Sequence, residues 1–574
     1  MLRFVDFDLA LADHKGPVPG AYLIGQDQVA VAGEVTREDG VIHCEKTTPD
    51  AAAIALQVEL GNDQLDTIDG GPSARGVELT PLGTLTLQTC LLPERERPYP
   101  LVLELARHRM MLVINRLEHW QAFEHAEGTD AMALFDEARS CFVQALVSAH
   151  DTIDPDSKPA RLALRALWLA IESSERLTML QANHDFGPRV SGELFGHLGE
   201  NPDASGTRPQ LHPTRGGVVL PHKPVVGTQV SAARFGDSTR EAVRRSSDFL
   251  AVPMRWREME PAEGSYDFGP TDRWIEWAIR KAKLPVVAGP LIDFRSISAP
   301  DWLYIWENDY ETLRELVYEH IKSIVTRYRR TVTRWTVCSG LHCGEHFKLS
   351  FEQMMDLTRI CVLVTRKLHP RSKIQIEIIQ PWGEYHTRDR ASLPPLLYAE
   401  MLSQAGVQLD AFSVRVQMGS SRPGLQTRDL MAFSDLLDRY AMLDRPITIS
   451  SLGAPAGEAG GAGDDEGTTI DEGPPPRPGV WRRAWSDRTQ ADWLSAAGAI
   501  ALSKPYIESI CWHELVDPSG PGEMPLGGLM TAGAEPRPSL DRLATLRDAV
   551  RSGALPERWL DDALEGRAST APTT

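Results

Sequence analysis

Apolar residues fall into three successive patterns along the chain. From residue 1 to about 125 they form short runs, Ala21-Tyr22-Leu23-Ile24, Ala53-Ile54-Ala55-Leu56-Gln57-Val58 and Leu85–Leu92, divided by Gly, Asp and Pro. Short runs bounded by turn formers predict strands, so this stretch reads as a β-rich, sandwich-like module. Between Ala131 and Ala149, and again between Pro159 and Gln181, apolar residues recur every three or four positions on either side of Asp154-Pro155-Asp156-Ser157. That period predicts a helical hairpin, taken as residues 126–190. Residues 191–223, polar and Pro- and Gly-bearing from Asn201 to Pro213, read as a linker.

From Pro224 the pattern changes again. Apolar runs at Val225–Val230, Phe249–Met254, Pro285–Gly289, Val332–Cys338, Ile374–Ile379, Ala411–Val416, Ile447–Ser451 and Ile507–Trp512 alternate with amphipathic stretches such as Thr312–Tyr328, Phe351–Leu368 and Thr489–Ser503. Eight strand–helix units in about 330 residues predict an α/β fold, a (β/α)8 TIM barrel over 224–555, ahead of a doubly wound open sheet. Residues 556–574 form a C-terminal tail. In such a barrel the chemistry collects at the C-terminal ends of the strands. An insertion behind the seventh strand, residues 454–480, is rich in Gly, Pro and acid; it reads as a mobile spacer placed to drape over that face.

Composition narrows the partners. The chain of 574 residues is 42% apolar and 24% charged, and its net charge of -19 argues against nucleic acid or an anionic membrane as partner. No run reaches the ~18 apolar residues of a membrane span. Met1–Asp8 carries acids where a secretory leader needs a basic start, so a cytoplasmic location is expected. The seven cysteines have no zinc spacing and read as buried thiols. His342-Cys343-Gly344-Glu345-His346 lacks the H-E-x-x-H order on a helix, and the Gly457–Gly463 run lacks the lysine of a phosphate loop; no metal or cofactor is expected.

One stretch carries more specific information. Arg255-Trp256-Arg257-Glu258-Met259-Glu260-Pro261-Ala262-Glu263-Gly264-Ser265-Tyr266-Asp267-Phe268 resembles the W-x-x-x-E-P-x-x-G-x-Y-x-F signature of glycoside hydrolase family 10, the xylanase-type (β/α)8 barrels. Further pieces follow in order over about 224–550. Gly289–Phe294 lies over G-H-x-L-x-W, Pro300–Leu303 over P-x-W-L, and Trp335–Gly340 over W-D-V-V-N-E. Asp410–Gln417 lies over D-x-I-G-x-Q-x-H and Pro446–Ser451 over P-I-x-I-T-E. The resemblance implies that the two catalytic glutamates would stand at Gly340 and Ser451, where neither residue bears a carboxylate. The family's preceding Asn is Ser339, and its strand-three His is absent. A retaining glycosidase needs two carboxyl groups ~5–5.5 Å apart, so the family mechanism is not expected to operate.

The expectation is a catalytically degenerate family-10-like barrel that binds a β-1,4-linked, xylan-type glycan or acts as a scaffold. One alternative is an active retaining-type glycosidase with relocated carboxylates, drawn from Glu514, Glu377 and Glu345. Another is an interaction protein without a sugar ligand. Trp256, Trp302, Trp382 and Trp512, near strand ends, are candidate sugar-stacking faces. Arg255, Arg415, Gln417 and His513 are candidate partners for sugar hydroxyls. The competing reading pairs Arg255 with Glu258 and Arg415 with Glu377 as salt bridges, and treats Glu384 as a solvated loop charge. The N-terminal module reads either as a carbohydrate-binding or docking unit or as a structural one through which the chain oligomerises.

Overall fold

The eight apolar runs from Val225 onward become the strands of a closed ring in the computed structural model. They are β1 (Val225–Gln229), β2 (Phe249–Val252), β3 (Val286–Ala288), β4 (Val332–Ser339), β5 (Lys373–Ile378), β6 (Ala411–Gln417), β7 (Ile447–Gly453) and β8 (Ile507–Trp512). Each pairs in parallel with the next, and β8 returns to β1, so the barrel has no free edge. A short strand, Ile292–Asp293, extends the ring beside the end of β4. The structure describes all residues except 6–15, 69–72, 74–75, 149–156, 197–209, 212–216, 345–346, 388, 390, 459–475, 519–523 and 566–574. Most of the expected linker and of the expected spacer after β7 therefore lies outside the described residues.

Helices enclose the ring, and their starts are written in the sequence. Ser350 and Gln353 form a reciprocal capping box at Phe351–Leu368, Asp309 caps Tyr310–Tyr328, and Ser486 caps Asp487–Ser503. Inside the ring the strands turn alternate polar residues to the axis. Gln375 on β5 accepts from Arg334 Nη1 at 2.9 Å and Thr448 Oγ1 at 3.1 Å, and donates to Thr336 Oγ1 at 3.0 Å. Such groups are tolerated in a core because each has a partner.

The N-terminal region contributes two antiparallel-rich sheets of five strands each. One has the order Gly16–Pro17, Gly33–Glu38, Val41–Lys46, Leu2–Val5, Tyr99–Pro100. The other runs Val480–Trp481, Gly83–Gln88, Ala53–Leu60, Tyr22–Ile24, Ala30–Val31. Its first strand comes from the loop after β7, so the barrel itself completes the N-terminal sheet. The expected β-rich stretch to residue 125 ends early, because Leu101–His119 is a helix. Leu101, Leu105, Ala106, Arg109, Met110, Val113 and Leu117 recur at three- and four-residue spacing and are all buried. Asp130–Ser148 and Lys158–Ser191 follow as packed helices.

The 34-residue helix Lys158–Ser191 joins module and barrel, packing on Asp130–Ser148, Leu101–His119 and the barrel helices Leu430–Ala441 and Asp487–Ser503. Its buried Glu175 accepts from Arg482 Nη2 at 2.6 Å, Trp481 Nε1 at 2.9 Å and Leu430 N at 3.1 Å. Glu172 accepts from the same guanidinium at 2.8 Å. Arg109 forms a bidentate pair with Asp429, at 2.8 and 2.6 Å, and Asp429 in turn caps Leu430–Ala441. No disulfide forms among the described residues, and six of the seven cysteines are buried. Among the described residues no helix is long and apolar enough to cross a membrane.

Candidate functional site

At the C-terminal mouth of the barrel the central carboxylate is Glu377. The β5 register sets it beside Ser339 of β4 and Ser413 of β6, and its side chain is 3% exposed. Ser339 Oγ donates to Oε2 at 2.5 Å and Ser450 Oγ to Oε1 at 2.6 Å. Arg415 adds Nη2 at 3.1 Å and Nε at 3.3 Å on Oε2. Burial pushes this carboxyl up, but the positive charges of Arg415 and Arg295 and the two serine hydroxyls outweigh it and hold it below the usual carboxylate range. Glu377 is thus an ionised, fully engaged acceptor with no proton to give. The Arg415–Glu377 salt bridge is one that the sequence reading had set against a sugar-binding role for Arg415.

The two positions that the resemblance assigns to catalytic glutamates hold different chemistry. Gly340, at the end of β4, has φ +66°, and a Cβ built there would lie 2.6 Å from Ile379 Cδ1. Left-handed backbone favours glycine, and the space for a side chain is already filled. Ser451 is buried on β7, where its hydroxyl lies 3.1 Å from Gln417 Nε2 and 3.2 Å from His513 Nδ1. Gln417 Nε2, a donor only, sits 2.7 Å from the same His513 Nδ1, so that nitrogen accepts and the ring proton is on Nε2. Ser451, Gln417 and His513 thus form one buried hydrogen-bonded cluster.

Beneath Glu377 lies a cavity of about 30 Å³ lined by Gln229, Thr336, Gln375, Thr448 and Ser450 among others. That is room for about one water molecule, not for a sugar ring. Asp293 and Arg295 close the β3 side as a bidentate pair, at 2.6 and 2.9 Å.

Of the other candidates, Glu514 follows β8 and is buried; its backbone carbonyl accepts from Leu529 N at 3.2 Å. Strand order sets it three strands away from Glu377, since β6 and β7 stand between β5 and β8. Glu345 lies outside the described residues. Arg255 pairs with Glu258 at 2.9 Å.

The tryptophans need correction. Trp256 and Trp512 are each 1% exposed and offer no face to a sugar. Trp512 donates to Gly527 O at 2.9 Å and sits edge-on to Trp493. Trp256 donates to Glu260 Oε2 at 2.8 Å and stacks on His320 at 4.1 Å, while Trp302 donates to Glu260 O at 3.1 Å. Gly264 N completes the arrangement on Glu260 Oε1 at 2.7 Å. The Trp–Glu–Gly signature is thus a packing latch behind the mouth. Trp382 stays half-buried, with the Arg428 guanidinium 4.2 Å above its ring.

Glu384 is not a solvated loop charge. It is 9% exposed and ion-paired with Arg428, which also donates to Tyr22 Oη at 3.1 Å. His342 is buried against Tyr398 and Tyr385, and its Nε2 lies 3.1 Å from Ile379 O. Burial pushes its imidazole down to about 4, so it is neutral. Among the described residues no three His, Cys, Asp or Glu side chains gather as metal ligands do. Sequence reasoning missed Ser450, Asp293 and Arg295. The signal for Ser450 was available in the alternation Thr448-x-Ser450 beside Gln375-x-Glu377, a period of two that marks a shared inward face.

Comparison with known proteins gives likenesses to one family. The glycosyl hydrolase family 10 model matches residues 220–346, which hold β1 to β4 and the Trp256–Phe268 signature. Endo-1,4-beta-xylanase B of Thermotoga neapolitana is 26% identical over 99 residues, 17% of this chain and 28% of that relative's length. Native xylanase 10B of Thermotoga maritima aligns at 16% identity and a TM-score of 0.43, over 57% of this chain and 97% of that one. Xylanase 10B of Thermotoga petrophila, solved with xylobiose, aligns at 16% identity and a TM-score of 0.43, over 57% and 94%. The barrel assignment itself rests on the closed strand order.

Proposed function

On the premise of a barrel that resembles glycosyl hydrolase family 10, we propose that this protein binds a β-1,4-linked, xylan-type glycan at the barrel mouth without hydrolysing it. The arrangement around Glu377 carries the reading. Both retaining and inverting glycosidases need one carboxylic acid to protonate the leaving oxygen and a second carboxylate as nucleophile or base. Glu377 is held ionised by Arg415 and two serines, while Gly340 has no side chain and Ser451 offers a hydroxyl where the two-carboxyl mechanism needs a carboxyl group. The names of the xylanase relatives, and the xylobiose in one of them, support the choice of ligand class.

The test is incubation of the full chain with xylohexaose, followed by mass spectrometry of the products and calorimetric titration of the same sugar. Saturable binding with no shorter oligomers is the expected result. Turnover that Glu514→Gln abolishes while leaving the fold intact would replace this reading with a relocated carboxylate pair.

A further inference from the structure

The helix Leu101–His119 has two opposite sides with different roles. One faces the barrel, where Arg109 pairs with Asp429 and Arg116 with Asp435 and Asp438. The other turns Arg107, Met111, Ile114 and Glu118 outward in one stripe, at four-, three- and four-residue steps. Met111 is 42% and Ile114 49% exposed, although the helix already buries a full apolar face. Arg107 is anchored by Glu104 at 3.0 Å and lies 5.5 Å over the Phe142 ring of helix Asp130–Ser148. One turn beyond Phe142, Leu146 is exposed as well, so the apolar patch runs from one helix onto the next.

The stripe is its own complement. A half-turn about the midpoint between Leu112 and Val113 lays Arg107 of one copy on Glu118 of the other, and Met111 on Ile114, and each contact occurs twice. Parallel pairing would instead set Arg107 on Arg107 and Glu118 on Glu118. Two chains of net charge -19 repel at long range, so self-association needs a face whose charges cancel. This stripe carries one charge of each sign, about 16 Å apart along the helix, on either side of an apolar centre. Self-complementarity of this kind is the requirement of a two-fold contact, and an unrelated partner has no reason to match it. We propose that two copies of this chain dimerise through the outer stripe of Leu101–His119, antiparallel, with Arg107 against the partner's Glu118 and Met111 against the partner's Ile114. The contact uses no residue of the barrel and stands apart from the glycan reading.

The experiment is sedimentation velocity of the full chain. A contact of this size predicts a reversible monomer–dimer equilibrium between about 1 and about 100 µM. Arg107→Glu alone and Glu118→Arg alone each set like charges face to face and should weaken dimerisation at least about tenfold. Mixing those two variants restores both attractive pairs and should bring the dimer back. Met111→Glu and Ile114→Arg, at exposed positions, repeat the test without disturbing the Arg107–Glu104 pair: each alone should weaken the dimer, and their mixture should recover it through a new Glu–Arg contact. Circular dichroism confirms that each variant is folded, and the second pair decides the matter if Arg107→Glu is not. A chain monomeric over the whole range overturns the inference. So does a dimer indifferent to these substitutions, or folded, weakened variants whose mixtures do not recover.

Discussion

Replacing Arg482 by Met tests the joint between module and barrel. The guanidinium is buried and serves both Glu172 and Glu175, whose side chains are 2% and 1% exposed. Without it Glu172 keeps Arg176 at 2.8 Å, and Glu175 keeps Leu430 N and Trp481 Nε1, but both of those bond Oε1. Glu175 Oε2 is then a buried carboxylate oxygen with none of its Arg482 donors. Removing one partner of a buried pair costs about 3–5 kcal/mol. If the whole chain melts as one unit, the specific unfolding entropy makes this a fall of roughly 3 °C, against roughly 6–16 °C for a unit of 150–250 residues. Calorimetry at pH 7 reads both the loss and the size of the melting unit. Glu172 supplies a pH signature. Burial raises its carboxyl, but Arg482 and Arg176 hold it below the usual range. Its contribution is therefore present above the unfolded carboxylate value and is lost as pH falls through the lowered folded value. In Arg482→Met that carboxyl rises, so the penalty should shrink as pH falls through its raised value. A loss under about 1 kcal/mol would refute the reasoning. So would a triple variant, Glu172→Gln, Glu175→Gln and Arg482→Met, no more stable than the single one, because neutral partners should relieve the stranded charge.

Three further outcomes follow from the same geometry. Stability should fall by roughly 3 kcal/mol as pH drops from about 6.5 to about 4, because the unfolded His342 takes up a proton that the buried one refuses; denaturant titrations of His342→Gln should show a flatter profile over that range. Trp256→Phe removes the indole donor to Glu260 and should cost about 1–3 kcal/mol in denaturant unfolding. Sugar affinity should be unchanged in that variant, since the ring is buried. Gly340→Glu combined with Ser451→Glu should yield no hydrolysis of xylohexaose by mass spectrometry, because the first side chain meets Ile379 from a left-handed backbone; product formation would show that the mouth can still accommodate the two-carboxylate chemistry.

What the linear chain determined was local. Eight apolar runs at regular spacing, each followed by an amphipathic stretch, are enough for a barrel, because parallel strands buried on both faces read as continuous hydrophobic segments. The absence of carboxylates at Gly340 and Ser451 was equally legible, since it is a matter of residue identity. The helix Leu101–His119 was readable too: its buried residues keep a period near 3.6, but the dense apolar content masked it among the strands. Tertiary structure decided everything that depends on direction or on distant partners. Whether Glu377 faces the axis, and whether Trp256 and Trp512 present a face or bury it, follows from strand register and helix packing. Glu384 looks like an ordinary loop charge until Arg428 and Tyr22 close over it. The pairing of Val480–Trp481 with Gly83–Thr84 joins segments about 400 residues apart, where neither side shows a local signal of the other. Residue periodicity reports which face of an element is apolar; only the assembled fold supplies what covers that face.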